Sequence, residues 1–177
     1  MYFLSEENVL CHKDFLKEIK LKLSVLEKSC PAIKGLDLKD VSSLKLSRED
    51  KREALKLKSE IMLHELYFES FSDKFYSCEA ARKFYGSEAN FLYEIEREIL
   101  KHDESGFLIV FFDTKKRLSF EFSNNFLEKL MNYTPILAID LWEHAYFKDF
   151  GFDRKRYVKC ALSQLNFDKI NDFSKSY

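Results

Sequence analysis

Apolar side chains recur along the first part of the chain with the spacing of a helix. Val9, Phe15, Leu16, Ile19, Leu23 and Leu26 share a face, Lys and Glu fill the gaps, and Ser5 stands where such a helix begins. Pro31 and Gly35 interrupt the pattern, so residues 29–44 read as a loop with a short turn. Ser47-Arg48-Glu49-Asp50 then opens a second long helix in the manner of a capping box. Its apolar members are Leu55, Met62, Leu63, Leu66 and Tyr67, and it runs to about Phe71. Two long helices on a modest linker bury their stripes against each other as an antiparallel hairpin.

Beyond residue 76 the pattern shortens. Residues 78–85 predict a short helix ended by Gly86. Ser87 caps another through Leu100, with Phe91, Leu92, Ile95 and Ile99 on one side. Gly106 precedes Phe107-Leu108-Ile109-Val110-Phe111-Phe112, a run that reads as a buried strand. Asp113 to Lys116 turns the chain into Arg117-Leu118-Ser119-Phe120-Glu121-Phe122, whose strict alternation marks a half-exposed hairpin partner. Pro135 to Ile139 is a third strand, and Tyr157, Val158, Ala161, Leu162 and Leu165 form the buried stripe of a helix from Arg154. The fold class is α+β: a helical hairpin domain over residues 1–76, then a lobe over 77–177 with a three-stranded antiparallel sheet and helices.

Composition narrows the function classes. The 29 Lys plus Arg nearly balance 30 Asp plus Glu, so no net field favours nucleic acid or an anionic membrane. The longest apolar run, Phe107 to Phe112, is far too short to cross a bilayer. Cys11, Cys30, Cys78 and Cys160 show no metal-binding spacing, and Met1-Tyr2-Phe3-Leu4 leads straight into charged residues. These features predict free cysteines in an intracellular protein, cytoplasmic or in the mitochondrial matrix.

The candidate chemistry sits just past the third strand. Asp140 and His144 place a carboxylate and an imidazole four residues apart, where both can reach one point and serve an ion that takes oxygen and nitrogen ligands. The same spacing fits a strand-to-helix turn with a capping Asp and a surface His, and the pair alone does not choose between them. The whole heptapeptide Asp140-Leu141-Trp142-Glu143-His144-Ala145-Tyr146 resembles the D-x-W-E-H-A-Y signature of the iron/manganese superoxide dismutases. The similarity continues through Asp149, Arg154 and Tyr157 to Leu165-Asn166-Phe167. It returns at His64-Glu65-Leu66-Tyr67-Phe68 on the second helix and at Leu4 to His12 on the first.

This resemblance implies one iron or manganese ion per chain, bound by His12, His64, Asp140 and His144. The implied reaction is one-electron cycling that oxidises one superoxide to oxygen and reduces another to hydrogen peroxide. Trp142 is implied as an apolar wall. Glu143 is implied as the partner of His144 from a second copy in a homodimer. Other positions depart from the family. Leu16 and Lys20 stand where a funnel His and a gateway Tyr are expected, and Phe147 replaces the second Tyr of H-A-Y-Y. The active-site Gln of iron-type members falls on Glu60, and that of manganese-type members on Asn125. Lys20 and Glu60 are therefore expected to form an ion pair beside the metal. A second reading of the same residues is a protein kept for structure or assembly, as in the related subunits of mitochondrial ribosomes.

Overall fold

A computed structural model describes residues 3–74, 77–124 and 127–175. The first long helix, α1 (Glu6–Ser29), starts at Ser5, whose hydroxyl accepts the Asn8 N–H. The interrupted segment holds more structure than its sequence pattern promised. Pro31–Ile33 forms a 3₁₀ turn and Leu38–Ser43 a short helix, α2, capped by the Asp37 carboxylate. Ile33 and Val41 bury completely, yet two apolar residues in so short a stretch show no period. The second long helix, α3 (Arg48–Glu69), is capped by Ser47 and lies against α1.

In the second part, α4 (Glu79–Tyr85) ends at Gly86 with φ +81°, a left-handed cap that glycine adopts without strain. Ser87 caps α5 (Glu88–Ile99). Strands β1 (Phe107–Phe112), β2 (Leu118–Ser123) and β3 (Pro135–Asp140) form an antiparallel sheet in the order β2-β1-β3. Helix α6 (Leu127–Asn132) links β2 to β3. Helices α7 (Glu143–Phe150), α8 (Arg154–Ser163) and α9 (Phe167–Lys175) follow. The sequence reading placed a helix only over α8. Among the described residues, α9 has just Phe167 and Ile170 buried, too few to display a period.

Central β1 is covered on both faces, and its period of two divides the core. Leu108 and Val110 enter a cluster with Phe91, Ile95, Tyr157, Val158 and Ile170. Phe107, Ile109 and Phe111 enter another with Leu55, Leu63 and Ile33 on the hairpin side. Both clusters draw on residues from before and after position 76. Gly106 allows the entry into β1, because a Cβ there would lie 2.7 Å from the Ser123 carbonyl oxygen.

Strand alternation also aims the candidate chemistry. Ala138 on β3 belongs to the hairpin-side cluster, so Asp140, two residues on, projects toward the same side. Its cross-strand neighbour is Phe107. Buried Ser70, just past α3, fixes the hairpin to this strand. Its hydroxyl accepts the Ala138 N–H at 2.8 Å and donates to the Leu66 carbonyl at 2.7 Å.

Candidate metal centre

Four side chains from four elements converge at the end of β3. His12 comes from α1, His64 from α3, Asp140 from β3 and His144 from the first turn of α7, and their nearest ligand atoms all lie within 4.8 Å of one another. The Asp140 Oδ2 atom is 3.1 Å from His12 Nε2, 3.1 Å from His144 Nε2 and 3.5 Å from His64 Nε2. His12, His64 and Asp140 are buried, whereas the His144 side chain keeps 27% of its surface.

Each group is held by identifiable contacts. Asn8, one turn before His12, donates to the Ala145 carbonyl at 3.2 Å and to Asp149 Oδ2 at 3.1 Å. The Ser5 N–H donates to the same Asp149 oxygen at 2.8 Å. The start of α1 is thereby tied to α7, and His12 to His144. Asp140 Oδ1 accepts the Trp142 N–H at 2.9 Å, which leaves Oδ2 facing the imidazoles. Behind it, the Tyr157 hydroxyl donates to the Asp140 carbonyl at 2.7 Å and sits 3.2 Å from the Tyr67 hydroxyl, which can donate in return. Burial raises the pKa of both tyrosines, so they remain protonated donors.

The histidine tautomers give the cluster its chemical meaning. His64 Nδ1 lies 2.7 Å from the Glu60 carbonyl, which can only accept, so Nδ1 carries the hydrogen. Burial lowers the His64 pKa, favouring the neutral ring. A neutral ring protonated at Nδ1 presents a bare lone pair at Nε2, and that lone pair faces Asp140 Oδ2, another acceptor. His144 Nε2 is 3.3 Å from His64 Nε2. His12 approaches Asp140 closely but not along an N–H direction, and neither of its buried ring nitrogens has a hydrogen-bond partner among the described residues. Burial alone would raise the Asp140 pKa, but the His12 and His144 imidazoles outweigh it and hold the carboxyl below the usual range. Two acceptors, His64 Nε2 and Asp140 Oδ2, that face each other, with His144 Nε2 in hydrogen-bonding reach of both and His12 left without a partner among the described residues, fit a cation of the size and preference that three imidazoles and a carboxylate serve.

A pocket of about 270 Å³ opens onto this cluster. Its walls include Phe15 and Ile19 from α1, Phe107 and Trp142, and the charged Lys22, Glu53, Lys56 and Glu60. Trp142 is a partial wall, with 40% of its surface exposed. Glu60 is half-buried, and burial raises its pKa against the opposing effect of Lys56.

The expected Lys20–Glu60 pair does not form. Lys20 meets Glu65 instead, at 2.6 Å, with both side chains about half exposed. Steps of four residues drift about 40° around a helix, so Lys20 lies about 80° from His12 on one side. The pocket lies on the other side, where Phe15, Ile19 and Lys22 follow His12. Glu143 is exposed and accepts a hydrogen bond from the Ser105 hydroxyl at 3.4 Å. Asn125 lies outside the described residues. His102 stands apart from the cluster, stacked on Phe122 and paired with Glu98 and Glu104. Sequence reasoning passed over Asn8, Ser70, Lys22 and Lys56. Asn8 carried a signal, a polar residue one turn from His12 on a buried stripe; the other three carried none.

An α+β fold with a helical hairpin against a three-stranded sheet, and a buried three-His, one-Asp cluster between them, defines a mononuclear metal-protein scaffold. The family profile described as iron/manganese superoxide dismutases, C-terminal domain, matches residues 73–173. The chain belongs to the iron/manganese superoxide dismutase family. It is 31% identical over 88 residues to the protein named superoxide dismutase [Mn] 2 of Halobacterium salinarum, covering 49% of this chain and 43% of that one. Against superoxide dismutase [Fe] of Cupriavidus metallidurans the identity is 27% over 126 residues, 67% of this chain and 64% of the relative. Against the chloroplastic superoxide dismutase [Fe] 2 of Oryza sativa subsp. japonica it is 36% over 85 residues, 47% and 33% of the two chains. In each of these matches the chain spans less than two thirds of the relative's length.

Proposed function

We propose that this chain is a superoxide dismutase whose single iron or manganese ion is held by His12, His64, Asp140 and His144. The observation that carries the reading is the convergence of three imidazoles and one carboxylate, their ligand atoms within 4.8 Å of one another, with the bare Nε2 of His64 opposite Asp140 Oδ2. When bound, the ion supplies the one-electron change that converts superoxide to oxygen and hydrogen peroxide. The protein's part is orientation and exclusion. Asp140 offsets part of the ionic charge while the Trp142 N–H and Tyr157 hydroxyl keep its carboxylate and backbone in place. The Glu60 carbonyl keeps the hydrogen of His64 on the nitrogen that faces away. Phe15, Ile19, Leu57, Phe107 and Trp142 give the approach an apolar lining that limits water around the reacting oxygen species.

The reading extends to a two-fold dimer in which Glu143 reaches His144 of a second copy. It is supported by the exposure of His144 alone among the four groups and by the exposed Trp142 and Phe147 on either side. Elemental analysis of the purified protein, together with a superoxide-consumption assay, tests the central proposal. Stoichiometric iron or manganese with turnover supports it. Metal without turnover leaves a metal-holding relative of the family, a reading favoured by the charged pocket wall. Sedimentation at micromolar concentration tests the dimer, and a strictly monomeric chain would refute it.

A further inference from the structure

The open side of the four-donor cluster is walled by charge. On α3, Glu60, Lys56 and Glu53 lie progressively farther along the helix from His64, and Lys22 joins them from α1; all four line the pocket that reaches His64 and His144. Lys22, Glu53 and Lys56 are exposed at its mouth, whereas Glu60 is half-buried one turn from His64. Elsewhere on the hairpin, opposite charges meet: Lys20 with Glu65, and Lys58 with Glu27. Among the described residues Glu60 makes no such pair and its carboxylate has no hydrogen-bond partner; Lys56, Glu53, Lys22 and His144 act on it only at longer range. An unpaired carboxylate in a half-buried position is costly to stability, and an apolar or amide side chain would fill the same wall more cheaply. A charge kept at such a place acts on what enters. Low-dielectric walls of Phe15, Ile19, Leu57 and Phe107 focus its field along the approach.

We infer that Glu60 sets the anion affinity of this pocket: its carboxylate weakens the hold on a small anion at the metal's accessible side, while Lys22 and Lys56 draw that anion into the mouth. The inference rests on the metal-centre reading above and deepens it, since the proposed substrate is itself a small anion. It is tested with the metal-loaded protein at fixed pH and ionic strength. Azide is titrated while the metal's charge-transfer absorption is followed, for the unaltered chain, Glu60→Gln and Lys56→Gln. Glu60→Gln is expected to tighten azide binding about tenfold, and Lys56→Gln to weaken it severalfold, both effects shrinking as salt is added. Lys56 is exposed, so its variant keeps the test intact even if Glu60→Gln fails to retain metal. Equal azide affinity in the metal-loaded variants and the parent overturns this inference and leaves the metal centre standing. A parent protein that takes up no metal overturns the centre and this inference together.

Discussion

Within one turn of α3 the rules governing side chains change. His64 is buried, its tautomer is fixed by a backbone carbonyl, and its free nitrogen faces three other donors. Glu60, one turn away, is half-buried and unpaired, in a wall shared with two lysines and another glutamate. The inner group is held by hydrogen bonds from the Trp142 N–H and the Tyr157 hydroxyl and by the Asn8 and Ser70 ties between elements. Among the described residues the outer wall has no comparable ties, and it touches solvent. A donor set that must coincide within a few ångströms needs many fixed contacts, whereas a field acting over the length of a pocket needs only the right sign of charge nearby.

The largest effects should come from breaking the inner region. Asp140→Ala removes the carboxylate that meets all three histidines, and bound metal should fall to background by elemental analysis, with superoxide consumption lost. Chelating the metal from the unaltered protein should remove about 2.7 kcal/mol if the free ion had been near 100 times its Kd, lowering Tm by roughly 5–10 °C in calorimetry. Tyr157→Phe leaves the buried Asp140 carbonyl without its donor and should cost about 1–3 kcal/mol by denaturant unfolding.

Acid should act on the same region in the metal-free protein. His64 has a lowered pKa in the fold, so below about pH 6.5 the unfolded chain takes up its proton first and stability falls as pH drops. Asp140 has a lowered pKa as well; its contribution is full above the ordinary carboxylate range and is lost only on stronger acidification. Unfolding at a series of pH values should therefore show stability declining from neutrality into the acid range, and His64→Gln should flatten the upper part of that decline. The smallest effect belongs outside both regions. Lys20→Ala breaks a half-exposed pair with Glu65 and should change stability by less than about 1 kcal/mol. A large loss of activity in that variant would place Lys20 in the pocket after all.

Much of this was legible in the chain itself. The two long helices, the three strands and the capping residues Ser5, Ser47 and Ser87 follow from period and local hydrogen bonding, which act over a few residues and need no tertiary partner. The apolar run from Pro135 to Ile139 put Asp140 just past a strand end, and the heptapeptide from Asp140 to Tyr146 marked two of the four donors. Short elements escaped: α2 and α9 bury two residues each, too few for a period to emerge.

What the sequence could not settle is which helix faces meet. His12, Leu16 and Lys20 follow one another at intervals of four, as Glu60 and His64 do, and that spacing suggested that Lys20 would find Glu60. Periodicity fixes the angle of a side chain around its own helix but not the crossing and offset of that helix against another. The packing of α1 on α3 brings Lys20 to Glu65 and Glu27 to Lys58, and turns Lys22 toward the pocket. The sequence by itself determined the elements and the likeness of His12, His64, Asp140 and His144 to a ligand set. Only the tertiary structure decided that these four converge and that the wall before them is Lys22, Glu53, Lys56 and Glu60, because interhelical register is set by the sum of many apolar contacts across both halves of the chain.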